Sequence, residues 1–227
     1  GCDMNDLSDP AIDVYDNAMF IIALDYLLEM APDSPQASRW KSLREGIERN
    51  VRAHLWDVKR QKFIPHIYPE KSPIPEGFDE LAIHYHGGTA IAIEAGLLSK
   101  DEIRTVNAQM LENVRLSGMP SIGLTLYPVY PDGFFHGGMS KAYLYQNGGD
   151  WTWFGGRMIQ QLVVNGMVEE AYAEIHPMIE RVIQNDGFYE WYGKGGVPSG
   201  SGNFKGSAGV LSKAIELLRD WAEKNKS

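Results

Sequence analysis

Apolar residues in this chain recur at helical spacing through about seven separate stretches, and the stretches come in pairs, with short links inside a pair and long ones between pairs. That alternation confines the fold to helix packed on helix, an all-α chain of consecutive antiparallel hairpins. The first stretch covers residues 12–30, with Met19, Ile22, Ala23, Tyr26 and Leu27 on its apolar spacing. It is opened by Asp9-Pro10, a capping residue followed by a helix-starting proline. Ala31-Pro32-Asp33 breaks it, and a second helix covers 36–55. Residues 57–67 alternate weakly, as a short strand or hairpin does, and the proline-rich 69–75 is loop. A third helix spans 79–95 and stops at Gly96, and Ser99 with Glu102 forms a capping box for a fourth that reaches 116. Helices over 153–165, 168–184 and 205–224 follow, separated from one another and from the fourth by the long loop 118–138, the turn at Gly166 and the loop 187–203. A loop as long as 118–138 inside a compact domain signals function rather than slack.

The first helices of the pairs resemble one another. Gly87-Gly88-Thr89-Ala90, Gly155-Gly156 and Gly206-Ser207-Ala208-Gly209 place small residues near their starts, and the starts near Asp16, His86 and Gly155 are spaced by about 70 residues. Small residues let helices approach closely, as the inner ring of an α/α toroid requires; an irregular bundle with coincidental spacing is the alternative. The expected architecture is one helical-hairpin domain over 1–227, an incomplete toroid with strand confined to short hairpins near 59–67 and 118–135.

A net charge of −9 without any Lys/Arg run argues against nucleic acid and anionic membrane surfaces as partners. No stretch reaches the roughly 18 apolar residues that span a bilayer. Cys2 is the single cysteine, which leaves no internal disulfide and no cysteine-based zinc site. Gly1-Cys2 reads as an expression scar or an internal start point, or else as an echo of a lipoprotein cleavage site. Periplasm and cytoplasm both fit the sequence.

Aromatic residues concentrate in the second half, around polar groups. The run from Tyr145 to Arg157 sets Asn147, Asp150, Trp151, Trp153 and Arg157 among four glycines just before a helix. Sugars demand this mixture: flat rings cover their C–H faces, and planar amides and carboxylates hold their hydroxyls. The competing reading is a loop whose tryptophans cap the core. In Asp186-Gly187-Phe188-Tyr189-Glu190-Trp191-Tyr192 a carboxylate is flanked by four aromatics, a setting suited to proton transfer, unless Glu190 is simply exposed while its neighbours face inward. Asp150 and Glu190 are the candidate acid/base pair, with Trp191 as a further sugar contact. His84-x-His86, read as lying on a helix, points its rings about 200° apart and cannot ligate one ion; a hydrogen bond to sugar hydroxyls or a capping role is expected instead. Asp16, at the start of the first helix, either binds sugar or caps backbone N–H groups. No metal and no cofactor is expected, and no Ser-His-Asp order, phosphate loop or dinucleotide fingerprint is present.

Tyr145-Gln146-Asn147-Gly148-Gly149 followed by Trp151 resembles the Y-x-N-G-G-x-W run of the six-hairpin glycosidases, which include glycogen-debranching-like glucosidases, processing α-glucosidase relatives and neutral invertases. Gly187 to Tyr192, with Phe204 and Gly206-Ser207-Ala208 downstream, resembles their late G-F-Y-E-x-Y…F…S-A segment, and Val14-Tyr15-Asp16-Asn17-Ala18 the start of one of their inner helices. The resemblance runs from about residue 13 to 218. It implies an (α/α)6 toroid and hydrolysis of an oligosaccharide, α-glucoside-like, with inversion by two carboxylic residues. Glu190 is implied as the general base. The Asp-bearing segment that carries the acid in such enzymes is expected upstream of residue 1, with Asp150, and behind it Asp79 and Glu80, as the partners nominated from this chain. A toroid needs twelve helices, so a missing N-terminal half or a second chain is expected to complete the ring. Two other functions stay open: a carbohydrate-binding or scaffolding half-toroid, and a sugar epimerase of the acylglucosamine epimerase type using His84, His86, His136 or His176.

Overall fold

The computed structural model describes residues 10–135 and 137–226; Cys2, Asp9 and His136 lie outside them. Among the described residues seven α-helices run in the order α1 (Val14–Met30), α2 (Ala37–His54), α3 (His86–Glu94), α4 (Lys100–Ser117), α5 (Thr152–Val164), α6 (Val168–Gln184) and α7 (Lys205–Lys224). Two small antiparallel hairpins, β1 (Trp56–Asp57) with β2 (Lys62–Phe63) and β3 (Trp191–Tyr192) with β4 (Pro198–Ser199), sit in the links. The fold is therefore all-α, built from consecutive helix hairpins.

Burial separates the helices into two layers. α1, α3, α5 and α7 pack side by side, with α2 against α1 and α6 against α5 and α7. Every residue of α3 from His86 to Ile93 is buried, whereas α2 fully buries only Val51. The first is an inner helix, apolar and small on all sides; the second is an outer one with a single apolar stripe. The glycines make the inner layer possible. A Cβ on Gly88 would stand 2.8 Å from Val14 of α1, one on Gly87 3.2 Å from Phe154 of α5, and one on Gly156 of α5 3.0 Å from Val210 of α7. Polar ties reinforce the outer layer: Arg52 of α2 pairs with Glu102 of α4 at 2.7 Å.

Capping chemistry explains where the ends fall. Asp13 caps α1, its carboxylate accepting from the Asp16 amide, so the helix begins at Val14 and not at 12. Ser99 and Glu102 form the capping box of α4, and Gly118 closes it in the left-handed conformation. The third helix is shorter than the 79–95 expected from its apolar spacing. Residues Glu80–Ala82 form a 3-10 turn, and His84 then pairs its backbone with Tyr127 (N–H to O 2.7 Å, and 3.1 Å in return), which holds the chain extended until His86. The second hairpin also lies elsewhere than expected. Residues 118–135 make only isolated bridges, while 191–199, predicted to be loop, form β3 and β4.

Two substitutions test the layer assignment by urea unfolding. Gly88→Ala should cost about 1–3 kcal/mol by overpacking the α1–α3 contact. Gly209→Ala, with open space around its Cβ in the exposed part of α7, should stabilise by about 0.5–1 kcal/mol through helix propensity. Equal shifts at the two sites would contradict the close inner-helix approach.

Candidate functional site

Three loops meet where α5 and α7 begin. The strip Gly149–Trp151 lies between two others: on one side Thr125 N–H donates to the Gly149 carbonyl (3.0 Å) and Trp151 N–H to Gly123 (2.8 Å); on the other, Asp150 and Tyr192 exchange both backbone bonds (2.9 and 2.8 Å). Gly123 has to be glycine, since a Cβ there would lie 2.2 Å from Asp150 Oδ1 and 2.5 Å from the Trp151 carbonyl. The two aromatic segments singled out in the sequence are thus brought to one end of the helix array.

At the crossing lies a buried ion pair. Asp150 is wholly enclosed. Arg181 of α6 reaches Oδ1 with Nη1 at 2.7 Å, and the Ser121 hydroxyl lies 2.9 and 2.7 Å from the two carboxylate oxygens. Nη2 of Arg181 donates to Thr152 Oγ1 at 2.6 Å, and the guanidinium lies over the Tyr192 ring at 4.1 Å. A carboxylate so enclosed and so partnered neither protonates a leaving group nor grips a sugar, so the expected acid role of Asp150 does not fit its place in the fold. The same correction holds for three other expected contacts. Asn147 is fully buried, its Oδ1 accepting from Tyr130 N–H (2.9 Å) and its amide donating to the carbonyls of Tyr130 (3.1 Å) and Lys141 (3.3 Å). Trp151 is buried, its indole N–H given to the Tyr145 carbonyl. His86 is buried against Asn113, 3.0 Å from its amide, and burial pushes its pKa down to about 3.

The remaining expected residues are more open. The Tyr145 ring meets Trp151 edge-on at 4.8 Å and Trp191 at 6.4 Å. Trp153 carries the Arg157 guanidinium 4.3 Å above its face, and Arg157 is ion-paired to Glu94 of α3. Glu190 is half-buried, within 3.4 Å of the Ser201 amide. Gly200, in the left-handed region at φ 70°, clears the space for its carboxylate, because a Cβ there would stand 2.4 Å from Oε2. Asp16 is exposed at the start of α1. His84 is not among the aromatic loops. It lies in a shallow groove against α4 with Arg104, Gln109 and Glu112, and burial, with Lys62 nearby, pushes its pKa down to about 4. The two histidine rings stack at 5.8 Å, with one of them enclosed, so they offer no open pair for the epimerase chemistry.

Sequence reasoning missed Arg181, Ser121 and Thr152, whose partners lie far away in the chain; an arginine on the face of α6 that carries Ala171, Ile175 and Met178 was the available signal. Glu80 also belongs to the framework. Its Oε1 accepts from Tyr130 (2.6 Å) and Tyr68 (2.8 Å) and lies 2.8 Å from His66 Nδ1. Burial alone would raise its pKa, but the bonds from His66, Tyr130 and Tyr68 outweigh it and hold the carboxyl below its usual range. Glu80 is therefore an ionised anchor and not a reserve acid, while Asp79 is exposed. Among the described residues, no group of three or more His, Cys, Asp or Glu could hold a metal ion.

No family model and no curated protein matches the chain, but solved structures do. The GH63 mannosylglycerate hydrolase from Thermus thermophilus, in complex with Tris and D-glycerate, superposes with a TM-score of 0.64 at 18% identity, covering 92% of this chain and 46% of that one. The same hydrolase in complex with glucose gives 0.63, again at 18% identity, over 92% and 48%. A sialidase gives 0.60 at 12% identity, over 82% of this chain and 17% of its own. The helix array is accordingly similar in fold to part of that hydrolase, and the chain spans about half the hydrolase's length.

The ion pair makes a sharp expectation. Arg181→Met leaves Asp150 buried without a counter-ion and should cost about 3–5 kcal/mol. Arg181→Met combined with Asp150→Leu should recover a large part of that loss, read from unfolding midpoints.

Proposed function

We propose that this chain supplies the aromatic, base-bearing side of a glycoside hydrolase site. The observation behind the reading is the Asp150–Tyr192 backbone pairing, which joins the loop of Tyr145 to the loop of Glu190 and Trp191, with the Tyr145 and Trp191 rings 6.4 Å apart. The likeness in fold to glycoside hydrolases supports it. In this reading the faces of Trp191, Tyr145 and Trp153 cover the C–H surface of a sugar, and Arg157 and Asp16 hold hydroxyls. Glu190 takes a proton from a water as that water attacks the anomeric carbon. A second carboxyl group protonates the leaving oxygen from the opposite face, roughly 6.5–9.5 Å from Glu190, and the product is inverted. The substrate is an oligosaccharide of α-glucoside-like type.

With Asp150 and Glu80 engaged in the framework, the reading takes the acid from the rest of the ring, contributed by an N-terminal half or by a second chain. Two open seams suit such a completion. α1 exposes Phe20, Tyr26, Leu27 and Met30, and an apolar groove of about 530 Å³ lies between α6 and α7, lined by Tyr172, Ile175, Ile179, Ile215 and Trp221. No helix among the described residues is long and apolar enough to cross a membrane. The engagement of those same carboxylates also favours a second reading, a half-toroid that binds carbohydrate without cleaving it.

Reducing-sugar release from an α-glucoside panel, with the anomer followed by NMR, separates the two. Glu190→Gln should drop turnover by about 10²–10⁴-fold while oligosaccharide binding, followed by tryptophan fluorescence, persists. Unchanged turnover would remove Glu190 as the base, and a retained anomer would point to a nucleophile. Binding with no release even after the ring is completed by an N-terminal half or a second chain would favour the second reading.

A further inference from the structure

Two buried atoms between α4 and α6 lack the partners that burial demands. Asn107 and Glu174 are 4% and 8% exposed, and Asn107 Nδ2 donates to Glu174 Oε1 at 2.7 Å. The other ends of the same two groups, Asn107 Oδ1 and Glu174 Oε2, are enclosed and accept no hydrogen bond. With Glu174 ionised, both orphaned atoms are acceptors, and among the described residues none donates to either.

The charges around the pair offer no relief. The buried side chains within four positions of it are Ile103, Val106 and Met110 on α4 and Ala171, Ile175 and Met178 on α6. The charge whose field reaches Glu174 is that of Glu170, an anion one turn back on its own helix. The ionisable groups of α4 are occupied elsewhere: Arg104 with Asp101, Arg115 with Glu112, and Glu102 with Arg52. Lys100 stands at the start of α4, over Gly166, and Glu169, His176 and Glu180 of α6 are exposed.

We propose that Glu174 is a neutral carboxylic acid in the folded protein, its proton carried on Oε2 and donated to Asn107 Oδ1, so that the two side chains form a two-bond acid–amide pin between α4 and α6. One proton converts the orphaned acceptor into a donor and satisfies both atoms. Burial pushes the Glu174 carboxyl up to about 7, the Asn107 bond opposing and Glu170 adding to the shift. In the unfolded chain the group titrates near 4.5. Because the folded value is the higher one, the folded state binds the proton more tightly. The contribution is complete below the unfolded pKa and is lost as pH rises through about 7. Glu174 and Arg181 are both buried on α6 and lie seven positions apart, on one face. Deprotonation therefore loosens the helix whose next turns hold Asp150 and the loops of the site.

Urea unfolding of the unaltered chain and of Glu174→Gln, from about pH 5 to about pH 8.5, tests the pin. Glutamine keeps the shape and places an N–H where the acid proton was. The folded-to-unfolded ratio of the unaltered chain should fall by on the order of a hundredfold more than that of the variant across this range. Parallel curves would overturn the proposal. A direct measurement does not depend on the variant folding: carbon NMR of glutamate-labelled chain should show one carboxyl titrating near neutrality, and infrared spectra slightly below neutrality should show a protonated acid band. If every glutamate titrates in the ordinary range, the pin does not exist.

Discussion

The fold at the site end depends on one buried ion pair. Arg181 leaves the outer helix α6, crosses the start of α5 and ends on Asp150, at the point where three loops exchange backbone hydrogen bonds. Bringing two charges out of water costs several kcal/mol each, so such a pair persists only when its remaining donors and acceptors are also met. Here Ser121, Thr152 and the face of Tyr192 meet most of them. The consequence is geometric more than energetic: with Asp150 fixed, β3 has one register, and the residue two before Tyr192 is Glu190. The carboxylate chosen from sequence as the acid is the one that positions the strand beside the proposed base.

The inner layer obeys a different constraint. Helices that must touch neighbours on both sides cannot carry large residues at every contact. Gly87, Gly88 and Gly156 therefore face Phe154, Val14 and Val210, large on one side of each contact and absent on the other. Because the apolar surface of each inner helix faces its neighbours, the array has no natural end. The open faces of α1 and α7, with Phe20, Leu27, Ile215 and Trp221 exposed, are the same kind of surface left unpaired. A toroid closes by covering such seams.

Polar groups inside the array divide into anchors and open groups. Asp150, Glu80, Asn147 and His86 are enclosed and partnered, and each joins segments far apart in sequence. Glu190, Trp191, Tyr145 and Trp153 are only partly buried. That division separates the residues that tie the loops together from those with surface left open. Both kinds of residue occur in the same short motif, because a loop that presents aromatic rings must itself be held rigid.

The sequence by itself determined the local elements. Helical spacing, the Ser99–Glu102 box and the glycines after 95, 117 and 165 set the helices to within a residue or two for α2, α4, α5, α6 and α7, since these signals act within one or two turns. It also determined that the aromatic loops belong together in chemical type, and the glycine-rich starts foretold the close inner layer. Tertiary structure alone decided which polar residues of those loops stay open. Burial of Asp150 follows from Arg181, thirty-one positions away, and burial of Asn147 from Tyr130; neither distance leaves a trace in a window of a few residues. The late start of α3 has the same origin, because Tyr127 captures the backbone of His84 before the helix can include it. Propensity is a local energy of a few tenths of a kcal/mol per residue, and a backbone pairing supplied by a distant segment exceeds it.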